Sequence, residues 1–130
     1  MTTRILCAGT FDIVHTGHVA YLKAAKALAQ DAELIVIVAR DINSNSIKKK
    51  PTINNEQSRL SKIKSLDFVN QAVLGKEKSR MLDTVVELHP DIIALGHDQW
   101  PNEQKLKEDL KQKGLNVKIV RMPKFEKKQL

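Results

Sequence analysis

The strongest constraint on the fold of this chain is the alternation of short β-branched, apolar runs with longer amphipathic stretches. The pattern predicts five strands, at residues 4–10, 34–40, 68–74, 91–95 and 117–121. Apolar residues at spacings of three and four predict four helices between them, at residues 18–30, 56–66, 79–89 and 103–113. Strands that alternate with helices of this length form βαβ units with parallel strands and right-handed crossovers.

These units predict a single α/β domain over residues 1–130, a three-layer α/β/α Rossmann-like arrangement with a five-stranded parallel sheet in the order 3-2-1-4-5. The run at 34–39 is wholly apolar, as in a central strand covered on both faces. Residues 122–130 are polar and basic, and we expect a loose tail there. Ligands of such sheets bind beyond the carboxyl ends of the strands at the topological switch point, which falls between strands one and four in this order.

Composition excludes several classes of protein. The single cysteine, Cys7, excludes a disulfide framework and a multi-cysteine metal site, and it fits a reducing cytoplasm. No apolar run approaches the roughly 20 residues that span a bilayer, so we expect neither a membrane segment nor export. The net charge of +7 calls for an anionic partner. Only 4% of the residues are aromatic, which does not favour a surface that stacks single-stranded nucleic acid.

The segment after the first predicted strand carries the clearest chemical signal. It reads Gly-Thr-Phe-Asp-Ile-Val-His-Thr-Gly-His from Gly9 to His18 and runs directly into a helix. Two histidines three residues apart, His15 and His18, lie on one side of the first turn. Their ring N–H groups, the backbone N–H groups of that turn and the positive end of the helix dipole predict a cradle for phosphate oxygens. Gly17 would let a phosphate approach the backbone closely, and Gly9 would permit the turn off the strand.

Two other interpretations compete with a phosphate site. A histidine pair can bind a metal, but a third ligand of the usual type does not follow nearby in the sequence, so we predict no metal site built from protein side chains. Purely structural histidines are the second alternative, and a pair that brackets a glycine at a strand-to-helix crossover favours the functional interpretation. The sequence also lacks the glycine-rich fingerprints of dinucleotide dehydrogenases and P-loop nucleoside triphosphatases.

The loop after the fourth predicted strand is the second candidate region. It reads Leu-Gly-His-Asp-Gln-Trp-Pro over residues 95–101, and in the predicted strand order it would face the histidine pair across the switch point. Asp98 would accept hydrogen bonds from a ribose or hold a metal–phosphate complex. A turn or capping role ahead of the next helix is the structural alternative for this residue.

The stretch GTFDIVHTGH resembles the G-T-F-D-x-x-H-x-G-H signature of the cytidylyltransferase-like, or HxGH, nucleotidyltransferases. The resemblance extends over nearly the whole chain, through LIVIVARD at 34–41, DIIALGHDQ at 91–99 and KIVR at 118–121. The later segments are most similar to archaeal FAD synthases and somewhat less similar to glycerol-3-phosphate cytidylyltransferases. Such enzymes transfer a nucleoside monophosphate from ATP or CTP to a phosphate acceptor, release pyrophosphate and use a divalent metal, Mg²⁺ by default.

The resemblance implies a role for each matching residue. His15 and His18 would stabilise the triphosphate and its charge in the transition state, and Gly17 would permit the close approach. The further contacts implied for the nucleotide are Thr10, Phe11, Thr16, Asp98 and Phe125. The lysines implied to meet the acceptor phosphate lie in the loop after strand two, where a solvated charge run is the alternative: Lys48, Lys49 and Lys50.

The resemblance thus implies an FMN adenylyltransferase that acts on ATP and FMN in the cytoplasm, without a membrane or nucleic-acid partner, and a homodimer would fit because related small enzymes often dimerise. Two alternatives stay open: transfer from CTP to glycerol 3-phosphate or another small phosphoalcohol, and a non-catalytic module that binds a nucleotide or nucleic acid. The chain departs from the family pattern after strand five. There RMPKFEKKQL stands where the family has a Ser/Thr-rich phosphate-binding motif and where archaeal FAD synthases carry cysteines.

Overall fold

The computed structural model describes residues 2–41, 53–76 and 80–125, and within these ranges strands and helices alternate along the chain. The strands are β1 (Thr3–Gly9), β2 (Ala32–Val38), β3 (Gln71–Leu74), β4 (Ile92–Leu95) and β5 (Lys118–Arg121). The helices are α1 (Thr16–Lys26), α2 (Glu56–Lys64), α3 (Met81–Leu88) and α4 (Glu103–Gln112). Each predicted element is present, and the largest differences lie at the ends of elements.

The five strands form one parallel sheet in the order β3-β2-β1-β4-β5, which confirms the predicted topology. Helices α1 and α2 cover one face, where Leu22 and Ile63 belong to a single buried cluster. Helices α3 and α4 cover the other face, where Val85 and Leu110 belong to a second cluster. Strand β2, which lies between β3 and β1, contributes to both clusters because successive side chains of a strand point to opposite faces. The three-layer α/β/α architecture follows.

Local sequence signals predict the caps of two helices correctly. The side chain of Asn55 accepts a hydrogen bond from the backbone N–H of Ser58 at 2.8 Å, as expected for an N-cap. Gly114 follows α4 with a φ of +88°, the left-handed conformation in which glycine ends a helix without a Cβ penalty.

Two predictions about segment ends are wrong. Phe68 and Val69 lie in the predicted third strand, but they precede β3 and pack against the core instead of pairing. The tail was expected to be loose from residue 122 on, yet Met122 is buried and its backbone N–H donates to the carbonyl of Leu95 at 2.8 Å. Phe125 also packs against the core. Apolar burial therefore fixes residues 122–125, and residues 126–130 lie outside the described part of the chain.

Strands β1 and β4 separate at the switch point. Their pairing ends at Leu6 and Ile93 after two residue pairs, although β1 continues to Gly9 and β4 to Leu95. Strand β1 pairs with β2 along its whole length, through seven residue pairs. The sheet therefore opens between its two central strands at the carboxyl edge, which is where the predicted binding residues lie.

Two side chains hydrogen-bond to backbone carbonyls where these strands separate. The hydroxyl of Tyr21, in α1, donates to the carbonyl of Ala94. The side-chain amide of Gln99, in the loop after β4, donates to the carbonyl of Ala8 at 2.9 Å. Both carbonyls are satisfied without strand pairing, so the opening is built into the fold. In the described ranges, no helix has the length and apolarity needed to cross a membrane.

Candidate active site at the switch point

The turn between β1 and α1 is shaped by a buried aromatic ring. Phe11 has a φ of 54°, and only 3% of its surface is exposed. A Cβ atom on Gly9 would lie 2.8 Å from Cζ of this ring, which is too close for any side chain. Gly9 is therefore required because the ring of Phe11 occupies the space above it. The side chain of Phe11 offers little surface to a ligand, and the nucleotide contact implied for this residue stays a prediction.

His15 and His18 cap the first turn of α1 for one another. Nδ1 of His15 accepts from the backbone N–H of His18 at 3.3 Å, and Nδ1 of His18 accepts from the backbone N–H of His15 at 3.3 Å. The arrangement is a capping box with His15 at the N-cap and His18 three residues later. The two rings stack with centroids 3.7 Å apart and planes inclined by 19°.

The mutual capping fixes the tautomer of both imidazoles. A neutral imidazole carries one N–H, and a ring nitrogen that accepts a hydrogen bond does not hold the proton. Since both Nδ1 atoms accept, Nε2 carries the proton on each ring. The helix start therefore presents two Nε2–H donors from adjacent, parallel rings, and the ring of Phe11 supports His18 edge-on at a centroid distance of 5.2 Å.

The remaining groups of this helix start suit an anion. Thr16 and Gly17 are the first two residues of α1, Gly17 is buried, and the first turn carries no acidic residue. Backbone N–H groups of a first helical turn and the helix dipole favour negative charge. Together with the histidine donors, they have the chemistry expected of the predicted phosphate cradle, and the binding of a phosphate there stays a prediction.

The loop after β4 lies against the end of β1. Gln99 joins the two, because its amide donates to the carbonyl of Ala8 and its side-chain oxygen accepts from the backbone N–H of Gly96 at 2.9 Å. Ala8 is the residue before Gly9, so the structure brings the two predicted motifs to the same opening of the sheet. The side chain of Asp98 is 77% exposed at the tip of this loop.

A buried arginine that the sequence did not single out joins the carboxyl edges of β1 and β2. The side chain of Arg59, in α2, is fully buried and lies 2.6 Å from the carboxylate of Asp41. Its guanidinium also donates to the carbonyls of Thr10 at 2.8 Å, Ala39 at 2.7 Å and Asn54 at 3.1 Å. Thr10 belongs to the predicted nucleotide site, so Arg59 stabilises the backbone of that site through this hydrogen bond.

Asp12 attaches the motif loop to the start of α2. Its carboxylate accepts from the backbone N–H groups of Ile53 and Asn54, at 2.8 Å each, and the amide of Asn54 donates to the carbonyl of Asp12 at 2.6 Å. Ile13 and Ile53 are therefore carried to one edge of the site, where they are 49% and 76% exposed. We call this edge the acceptor edge. The predicted acceptor lysines, Lys48, Lys49 and Lys50, lie outside the described residues.

Cys7 and Tyr21 form a buried polar pair beneath the opening. Burial raises the pKa of the Cys7 thiol to about 12, partly offset by its hydrogen bond with Tyr21. Burial is also the main cause that raises the pKa of Tyr21 well above its ordinary value. Both groups stay neutral at physiological pH, so they support the site as structural groups and the thiol is not a nucleophile.

Comparison with known proteins gives consistent results. The model of the family described as cytidylyltransferase-like matches residues 6–129. The chain is 48% identical to an FAD synthase of Korarchaeum cryptofilum, over 96% of this chain and 84% of the relative. It is 49% identical to an FAD synthase of Methanosarcina mazei, over 95% and 78% respectively. A crystal structure titled lipopolysaccharide core biosynthesis protein, from Thermoplasma volcanium, superposes with a TM-score of 0.90 at 43% identity and covers 97% of this chain and 100% of that one.

Proposed function

The chain belongs to the cytidylyltransferase-like family, and from this premise we propose that it is an FAD synthase, a nucleotidyltransferase that moves AMP from ATP to the phosphate of FMN. The products are FAD and pyrophosphate. The two FAD synthase relatives, 48% and 49% identical over nearly the whole chain, support this substrate pair over CTP and glycerol 3-phosphate.

The observation that carries the mechanism is the mutual capping of His15 and His18. It fixes two neutral imidazoles with their Nε2–H groups as donors beside the N-terminus of α1. Donors that are already oriented stabilise charge in a transition state without the cost of reorganisation at the moment of reaction. We assign His15 and His18 to the triphosphate of ATP, with Thr16 and Gly17 offering backbone N–H groups.

The reaction needs hydrogen-bond donors that stabilise negative charge more than it needs a general base. An oxygen of the FMN phosphate attacks the α-phosphorus of ATP, the bond from that phosphorus to the bridging oxygen breaks, and the electron pair leaves with pyrophosphate. A phosphate monoester has its second pKa near 6, so it is already a dianionic nucleophile at neutral pH. Positioning and charge stabilisation therefore supply the catalysis. In this proposal the Nε2–H groups of His15 and His18 stabilise the charge that develops on the leaving pyrophosphate.

Enzymes of this kind use a divalent metal, and we propose Mg²⁺, bound with ATP. Across the described ranges, no three side chains of histidine, cysteine, aspartate or glutamate cluster as a metal site. Mg²⁺ prefers oxygen ligands and keeps bound water, so the phosphate oxygens of ATP would hold it. When bound, the metal would neutralise phosphate charge.

The loop after β4 would hold the nucleoside. Asp98 is exposed at its tip and would accept hydrogen bonds from the ribose hydroxyls. Phe125 lies at the end of the described chain, half-buried against the core cluster that also contains Phe11. Its nucleotide contact is part of the same proposal.

The acceptor edge supports a flavin as the acceptor. Ile13 lies two residues before His15, and the backbone N–H of Ile53 donates to the carboxylate of Asp12, so both expose aliphatic surface beside the histidine motif. The isoalloxazine ring of FMN has a large apolar face that buries such surface favourably. Glycerol 3-phosphate has no comparable group. Cytoplasmic location and a homodimer remain parts of this proposal.

A comparison of substrate pairs tests the proposal. Purified protein with Mg²⁺ is incubated with ATP or CTP and with FMN or glycerol 3-phosphate, and the products are separated by chromatography. We expect FAD from ATP with FMN, and at most slow turnover of the other three pairs. Formation of CDP-glycerol as the main product would establish the alternative acceptor, and no transfer with any pair would favour a binding module.

A further inference from the structure

Arg121, the last residue of β5, gathers the loop after β4 around its guanidinium. Nη1 donates to the carbonyls of Gly96, at 2.9 Å, and of Gln99. Nη2 donates to the carbonyl of Trp100 at 2.6 Å, and Nε donates to the carboxylate of Glu103 at 2.9 Å. One side chain thus satisfies three backbone carbonyls of the seven-residue loop 96–102 and an acidic group at the start of α4.

Gln99 secures the opposite side of the same loop. Its side-chain amide bridges the backbone N–H of Gly96 and the carbonyl of Ala8. A Cβ atom on Gly96 would lie 3.3 Å from the Gln99 side chain, so the two residues are already in tight contact. The loop is therefore attached to β1 on one side and to β5 on the other.

Fixing the loop has two structural consequences. Trp100 has a φ of 44°, a left-handed conformation that costs a bulky residue free energy and persists where the surroundings hold it. Arg121 supplies that hold through the carbonyl of Trp100. Asp98, which contributes no backbone carbonyl to the guanidinium, projects from the loop with 77% of its side chain exposed.

We propose that Arg121 is a positioning residue for the nucleoside of ATP: by its contacts with the carbonyls of Gly96, Gln99 and Trp100 it sets the place of Asp98 at the opening between β1 and β4. The inference rests on the proposed function, and it adds a residue at the end of β5 to a site otherwise built from β1, α1 and the β4 loop. Arg121 acts through the loop and does not touch the reacting phosphates.

The geometry requires arginine at this position. A guanidinium offers five N–H donors in a planar fork, and Arg121 directs Nε, Nη1 and Nη2 to separate acceptors. A lysine ammonium carries its donors on one atom and cannot reach the carboxylate of Glu103 and all three carbonyls together. Arg121→Lys therefore keeps the charge and loosens the loop.

Steady-state kinetics of Arg121→Lys test the proposal. We expect the KM for ATP to rise by about 10-fold, since small displacements of binding groups cost up to 10² in rate. The KM for FMN and the inhibition constant of pyrophosphate should stay within about 2-fold, because the histidine pair and the acceptor edge are untouched. Arg4→Lys is the matched control. Arg4 donates to the carbonyl of Leu88 at 2.7 Å at the amino end of β1, far from the opening.

The outcomes separate the two proposals. If wild-type protein makes no FAD, the proposed function fails. If wild type is active and Arg121→Lys shifts the constants for ATP, FMN and pyrophosphate equally, or shifts none, Arg121 is only structural and the positioning role is wrong. Should Arg121→Lys not fold, Glu103→Ala decides. It removes the acceptor of Arg121 Nε at the surface, and we expect a smaller rise in the KM for ATP alone, whereas an unchanged KM for ATP overturns the proposal.

Discussion

His15 and His18 accept hydrogen bonds from each other's backbone N–H groups at 3.3 Å and stack at 3.7 Å, so one pair of side chains both caps helix α1 and orients two imidazoles at its start. Capping boxes are usually built from Ser or Thr at the N-cap and Glu or Gln three residues later. Histidines at both positions satisfy the same backbone donors and leave a proton on each Nε2. The same two hydrogen bonds therefore cap the helix and, in the proposed function, orient the Nε2–H donors.

The two roles of this pair can be separated by substitution. His15→Asn and His18→Gln retain an acceptor for the cap and remove the imidazole. We expect turnover to fall by about 10²-fold or more in each, as for loss of one oriented donor, with little change in stability. Rates of FAD formation and urea denaturation check this.

Alanine at the same positions serves as the control. His15→Ala and His18→Ala lose both cap and donor, and each should also lose about 1 kcal/mol of stability. If His15→Asn or His18→Gln keeps near-normal turnover, the imidazoles are cap residues only and the assignment of the catalytic pair is wrong.

The acceptor edge predicts a change in flavin binding. Ile53→Asn removes aliphatic surface that is 76% exposed, so the fold should be little affected. We expect the KM for FMN to rise by roughly 5-fold, in line with about 1 kcal/mol of lost apolar contact, while the KM for ATP stays constant. Leu28→Asn is the matched control, since Leu28 is 38% exposed beyond the end of α1. Equal effects of both substitutions on FMN would contradict an acceptor role for Ile53.

We expect substitution of Arg59 to cause a large loss of stability. Arg59→Met leaves the carbonyls of Thr10 and Ala39 without their donor and separates Asp41 from its ion pair. We expect the free energy of unfolding to fall by about 3 kcal/mol, because several backbone carbonyls lose the donor that satisfied them. Arg80→Met is the control, because the Arg80 side chain is 60% exposed in a surface pair, and no measurable change is expected. A loss of stability no larger than that of the control would show that Arg59 does not carry this part of the fold.

We expect the stability of the protein to decline in alkali because of the buried Cys7 thiol. Its pKa is about 12 when folded against an ordinary value of 9.0, so above pH 9 the unfolded chain releases a proton that the folded chain keeps. The contribution of the protonated Cys7 thiol to the free energy of unfolding is fully present below pH 9, and it is lost as the pH rises toward 12. Between pH 8 and 10 the loss is on the order of 1 kcal/mol.

Urea denaturation of wild type and Cys7→Ala at pH 8 and pH 10 isolates this contribution. The decline should be smaller in Cys7→Ala by on the order of 1 kcal/mol. Tyr21, whose pKa is also raised, has an ordinary value of 10.0 and adds its part above that pH. An identical decline in both proteins would mean that the Cys7 thiol does not differ between the two states.

The sequence predicts the alternating elements of the sheet and the caps at Asn55 and Gly114, because each of these depends on local patterns. The start of α1 is predicted at residue 18 but lies at Thr16, because a histidine N-cap gives no familiar signal. Phe11 matches a ligand-binding motif, yet its side chain is buried, and only packing against Gly9 reveals this.

Arg59 and Arg121 were not predicted at all. Their partners are backbone carbonyls up to 49 and 25 residues away, and a carbonyl carries no residue identity that a sequence pattern could register. Both arginines become visible only once the fold brings the carboxyl ends of the strands together.

Transfer of labelled AMP tests the central claim most directly. The protein is incubated with FMN, Mg²⁺ and ATP labelled at the α-phosphorus, and in parallel with ATP labelled at the γ-phosphorus. The mechanism predicts that the α-label appears in FAD and the γ-label in pyrophosphate, at rates that fall together in His15→Asn and His18→Gln. Label from the γ-position on the flavin, or an α-label that never leaves ATP, would contradict adenylyl transfer by this site.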